Sequence, residues 1–174
     1  VAAHAAELIA SAAADAVAAR GRFTLVLAGG STPEKAYRLL AGPGFAGRVP
    51  WDKTVVFVGD ERLVPFDHPH SNFGMAKRAL LDHVPVPSAN LHPIPTHPGD
   101  ADRCAADYTR ALADFFSQPA DGPPPRFDLI LLGLGDDRHT ASLFPGKPAL
   151  NAAGWVTHSE PGELPPPVDR VTLT

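Results

Sequence analysis

Hydrophobic and polar positions fall in blocks along the chain, and each block predicts one element. Residues 2 to 20 are Ala-rich with spaced polar positions, which predicts a strong helix ending at Gly21. "FTLVLA", 23 to 28, is a continuous apolar run, the pattern of a strand covered on both faces. "PEKAYRLLAG", 33 to 42, predicts a helix with Pro33 at its first position. A second buried strand follows at "TVVFV", 54 to 58, then a helix over 72 to 83 capped by Ser71. Residues 100 to 117 predict a further amphipathic helix, and "FDLILLG", 127 to 133, is the clearest strand of the three. "GWVTHS" and "VTLT" are weaker strand candidates near the end.

Strands alternating with helices predict an α/β fold with a mostly parallel, Rossmann-like sheet covered by helices on both faces. The 20 prolines cluster in connections at 85 to 98, 123 to 125 and 161 to 167. With neither an internal repeat nor a second composition regime, residues 1 to 174 are expected to form a single domain.

Composition narrows the function. A net charge of −4 gives no reason to expect nucleic acid as a partner. No run reaches the roughly 20 apolar residues that cross a bilayer, so no membrane association is expected. Glu7 and Asp15 interrupt the Ala-rich start and no basic segment precedes it, so it reads as a helix rather than a signal peptide. With Val rather than Met at position 1, an upstream portion is expected to be absent. The single cysteine, Cys104, cannot form an internal disulfide and reads as a small packed side chain, which fits a cytoplasmic protein.

Ligands of open parallel sheets bind beyond the carboxyl ends of the strands, and all three confident strands run into polar sequence there. In "AGGSTPEKA", Gly29 and Gly30 allow a tight turn, and Ser31 and Thr32 supply hydroxyls and a helix cap. A helix start of this kind favours an anion, phosphate above all. It is not a Walker loop, because no Lys follows the second Gly. "VGDERLVP" places Asp60, Glu61 and Arg62 after the second strand. "LILLGLGDDRHTASLFPG" puts two carboxylates, Arg138 and His139 after the third. Arg138 stands where a dinucleotide fingerprint needs its third Gly, which argues against a nicotinamide site. His139, between a strand end and a helix start, is the candidate general base. His68, His70, His92 and His97 lack a further ligand at regular spacing, so no metal site is expected.

"LAGGSTP", "GDERLVP" followed by "HSN", "LLGLGDDRHTASLFPG" and the terminal "RVTLT" resemble, in that order, the 6-phosphogluconolactonase family of the sugar-phosphate isomerase/lactonase superfamily. "HTASLFP" is the specific piece, since the related glucosamine-6-phosphate deaminases diverge after the His. The resemblance implies hydrolysis of 6-phosphoglucono-δ-lactone to 6-phosphogluconate, in the oxidative pentose phosphate pathway, without a metal or organic cofactor. On this reading Gly29, Gly30, Ser31 and Thr32 hold the phosphate, with Arg170 as a charged partner. His139 activates water, Arg62 stabilises the oxyanion or holds the substrate, and Asp60 orients Arg62 or the His. Attack by Ser31 is disfavoured, because a helix start is better used on an anion.

Two departures stand out. Family members usually carry Asp-Gly-His where this chain has Asp137-Arg138-His139. A positive φ there costs Arg138 about 1–2 kcal/mol. The family domain also continues past "RVTLT" with a strand and helix that this chain is expected to lack. Two other functions stay open: an amino-sugar-phosphate isomerase/deaminase using Asp60 as acid/base, and a non-catalytic sugar-phosphate sensor acting through protein contacts.

Overall fold

The computed structural model describes residues 1–97, 99–162 and 166–174. Residue 98 and residues 163–165, within two of the proline-rich connections, lie outside the described residues. Helix α1 (Ala2–Arg20) ends at Gly21, whose φ of 72° closes it in the left-handed region. Its buried positions, Ala6, Ile9, Ala10, Ala13 and Ala16, recur at helical spacing. This narrow face of small side chains packs on strand β1 (Phe23–Leu27) and helix α2 (Ser31–Ala41).

Strand β1 lies parallel to β2 (Thr54–Val58), with Phe23 beside Thr54 and Leu27 beside Val58. All ten residues are buried, which is why neither strand alternates in hydropathy. Helices α3 (Asn72–Ala79) and α4 (Ala101–Phe116) follow, capped by Ser71 and Asp100 side chains. Two short strands, β4 (Leu91–His92) and β5 (Leu129–Ile130), complete a parallel sheet in the order β4-β2-β1-β5, flanked by the helices. Phe115 and Phe116 pack on Phe57, with the half-buried His92 stacked on the same ring, so this histidine packs against the core.

Several predicted elements differ. The third strand shrinks from seven residues to two: it pairs with β1 only at Leu25 and Val26, and just before that the N–H of Thr24 is taken by the Asp128 side chain instead of by the ladder. Leu132 and Leu134 beyond it are exposed, so this run is apolar without being core. Helix α2 starts at Ser31 rather than Pro33, and its cap position is Gly30, with no side-chain capping bond from Ser31 or Thr32. Helix α3 stops at Ala79 and gives way to a 3-10 turn at Leu81–His83. No helix starts directly at His139; residues 136 to 146 form turns around a Thr140–Leu143 bridge, and a short 3-10 helix follows only at Pro148–Asn151.

A further difference is a second sheet. Residues 60 to 62 form a strand, β3 (Asp60–Arg62), which joins β7 (Arg170–Leu173) and β6 (Val156–Ser159) in an antiparallel sheet of order β3-β7-β6. Three charged residues carry no hydropathy signature of a strand; pairing with β7 creates one. Gly59 passes the chain from one sheet to the other, donating to Leu27 O and accepting from Leu173 N. Among the described residues, no helix is long and apolar enough to cross a membrane.

Candidate active site

Two buried tyrosines fix the strand ends that shape the site. The Tyr37 hydroxyl bonds both the N–H and the C=O of Ala28, just past β1. Tyr108 does the same for Val58 at the end of β2. Each phenol sits where the ladder stops and satisfies a pair of backbone groups that burial would otherwise leave without partners. Burial pushes both hydroxyls well above the usual tyrosine range, so they remain neutral donors and acceptors.

Past Ala28 the chain turns at Gly29 and Gly30, the latter at φ 102°. A Cβ on Gly29 would lie 2.0 Å from Asn72 Oδ1, so only glycine fits against that side chain. Asn72 in turn donates through Nδ2 to Asp60 O at 2.8 Å, tying the glycine turn to β3. The exposed first turn of α2 presents backbone N–H groups at Ser31 and Thr32 to the same space.

Alternation along β3 sorts its charges. Asp60 and Arg62 share one face, and Glu61 takes the other. Fully buried, the Glu61 carboxylate accepts from Arg62 N, Asn72 N, Phe73 N and Ser71 Oγ, which anchors the start of α3. Burial still leaves its pKa above the ordinary carboxylate value. On the opposite face Arg62 lies directly across from Arg170 of β7, and Asp60 across from Thr172. Arg62 also donates to His70 O at 2.8 Å. Burial, reinforced by the Arg62 charge, pulls the Arg170 pKa down, while Asp60 and Asp137 oppose that shift.

The third element is the loop after β5. The Asp137 carboxylate contacts His139 Nδ1, and the hydrogen bond holds the Asp137 pKa below its usual range. A carboxylate can only accept, so Nδ1 carries the proton and Nε2 is left as the basic nitrogen. Gly135 makes this pairing possible, since a Cβ there would meet the His139 ring at 2.3 Å. Phe144 supports the imidazole from one side, with ring centroids 4.8 Å apart, and carries the Arg170 guanidinium 5.3 Å from its centroid. Arg138 takes φ 67°, a left-handed backbone.

One cavity of about 690 Å³ is lined by Gly29, Gly30, Ser31, Thr32, Asp60, Arg62, His139 and Arg170 together. The structure thus brings all eight residues singled out in the sequence to the same space. Asp137, Asn72 and Phe144 also shape the site, though the sequence motifs alone assign them no role. Asp137 stands two residues before the histidine and Asn72 lies in the quoted "HSN", so both had a local signal; Phe144 had none. Among the described residues, no three His, Cys, Asp or Glu side chains converge as metal ligands do.

A cationic cavity with a histidine–carboxylate pair, at the carboxyl ends of a parallel sheet, defines an α/β protein built to receive a small anionic ligand. The chain belongs to the family described as glucosamine-6-phosphate isomerases/6-phosphogluconolactonase, whose match runs over residues 1–174. It is 53% identical over 135 residues to a 6-phosphogluconolactonase of Synechocystis sp., covering 78% of this chain and 54% of that protein. To the 6-phosphogluconolactonase of Mycobacterium tuberculosis it is 42% identical over 164 residues, covering 91% of this chain and 64% of that protein. Among solved structures, 6-phosphogluconolactonase from Trypanosoma cruzi superposes with a TM-score of 0.86 at 31% identity, covering 99% of this chain and 70% of that one. The chain spans about half the length of the first of these curated relatives.

Proposed function

We propose that the protein hydrolyses 6-phosphoglucono-δ-lactone to 6-phosphogluconate. The observation that carries this reading is the placement of His139, paired with Asp137 behind it, and the Gly30–Thr32 turn on one cavity wide enough for a phosphorylated sugar ring. The phosphate binds at the α2 start, where N–H groups and the helix dipole favour an anion. Holding that non-reacting end fixes the lactone carbonyl near His139, so remote binding lowers the barrier.

His139 Nε2 then takes a proton from a water molecule as its oxygen adds to the lactone carbonyl carbon. Arg62 and Arg170 stabilise the negative charge on the carbonyl oxygen, and Asp60 balances and orients Arg62. When the bond between that carbon and the ring oxygen breaks, His139 returns its proton to the ring oxygen, leaving a free carboxylic acid that ionises. Asp137 keeps the imidazole in the required tautomer and stabilises the imidazolium between the two transfers. The buried thiol of Cys104 supports a reducing compartment, and we place the protein in the cytoplasm.

The test is hydrolysis of freshly generated lactone against an enzyme-free control and a His139→Ala variant. Turnover above the control, falling at least about 100-fold in the folded variant, is the expected result. Near-normal turnover without the imidazole removes it as the base. Ammonia release from glucosamine 6-phosphate, or ligand-induced melting shifts with no turnover of either sugar, overturns the reading as a whole.

A further inference from the structure

Ser142 lies three residues beyond His139, is fully buried and does not line the cavity. All of its polar groups are nevertheless engaged. Its hydroxyl donates to Asp60 Oδ2 at 2.7 Å, and its N–H donates to Thr172 Oγ1 at 3.3 Å. Its carbonyl accepts from the Ser159 hydroxyl. These partners lie on β3 and β7 and at the last residue of β6, so one residue pins the loop after β5 across the whole antiparallel sheet. Thr172 passes its own hydroxyl proton to Leu173 O at 2.9 Å, which leaves its oxygen to accept from Ser142.

The segment between His139 and Ser142 has little slack. Thr140 and Leu143 form a β-bridge, with Leu143 N donating to Thr140 O at 2.9 Å, and Ala141 takes φ 49°. A displacement of Ser142 is therefore transmitted to the imidazole. Nor is a hydroxyl the natural filler of a buried site, since it needs partners to offset its lost hydration. Alanine fills nearly the same space with none.

We infer that Ser142 is a positioning residue, which locks the His139 loop onto Asp60 and so sets the spacing between the base and the Asp60–Arg62 pair. This rests on the lactone-hydrolysis reading. The contact joins two clusters far apart in the chain, at positions 60 and 142, and Ser142 reaches the reacting atoms only through Asp60 and His139.

The experiment compares the protein with Ser142→Ala, Asp60→Ala and the double variant, by steady-state lactone hydrolysis and by hydrogen–deuterium exchange of residues 137–144. Ser142→Ala is expected to lower kcat about 10-fold with KM within about 2-fold, and to speed exchange in that segment. In the Asp60→Ala background the same change is expected to lower kcat no further, because the contact is already gone. Unchanged kcat and exchange in Ser142→Ala overturn the inference, as does an equal loss in both backgrounds, which marks a general packing role. If the unaltered protein does not hydrolyse lactone, the functional reading fails and the exchange comparison alone decides whether the lock exists. Should Ser142→Ala not fold, Ser159→Ala releases the same loop and is expected to show the same faster exchange; protection equal to the unaltered protein overturns the lock.

Discussion

Arg138 shows what a single position can reveal. Its φ of 67° places a long side chain in a backbone region that glycine enters freely and other L-residues enter at a cost. The tight turn around it explains why: Arg138 N donates to Gly135 O, and Gly135 N donates to His139 O, which closes the loop that presents the imidazole. The strain is thus local and is held by the pairing of Asp137 with His139. Arg138→Gly is expected to raise stability by about 1 kcal/mol, read from urea denaturation, with turnover retained. The motif and its departure from the family pattern were both legible in the chain. The pairing of Asp137 was legible only as proximity, because the adjacent Asp136 leaves open which carboxylate turns toward the ring.

Strand β3 shows how an element divides its labour. Asp60 and Arg62 line the cavity, while Glu61 anchors α3 from the other side, so one tripeptide both shapes the cavity wall and holds a helix start. Glu61→Ala leaves buried N–H groups and the Ser71 hydroxyl without their acceptor and is expected to lower stability by about 3 kcal/mol. The loss depends on pH in a defined direction. Burial raises the folded pKa of Glu61 above its ordinary 4.5, so the stability that this group contributes is fully present below 4.5 and declines as pH rises through the folded value. The gap between wild type and Glu61→Ala, measured by denaturant titration, is therefore expected to narrow from acid to neutral pH. At this scale β1, β2 and the four helices were readable from periodicity, which reports local burial. Of the antiparallel sheet, β6 and β7 were signalled by "GWVTHS" and "VTLT", but β3 and the pairing that makes it a strand were not. A three-residue charged strand exists only through residues more than a hundred positions away, and β5 is apolar in sequence yet largely open to water.

Across the whole molecule, the cavity is where two sheets of different character meet. The parallel sheet supplies the glycine turn at the start of α2, and the antiparallel sheet brings Arg62 opposite Arg170. Two guanidinium groups directly opposed on neighbouring strands repel each other. Arg62 Nε, moreover, is buried and finds no hydrogen-bond partner among the described residues. Such an opposed pair of guanidinium groups favours a doubly charged guest over a singly charged one. The protein's melting temperature is expected to depend on which salt dissolves it: sodium sulfate stabilises more than sodium chloride at matched ionic strength, and Arg62→Gln removes most of the difference beyond the general salting effect of sulfate. The solvent's anions are in this sense stand-in guests, and comparing preparations in different buffers amounts to comparing different degrees of occupancy.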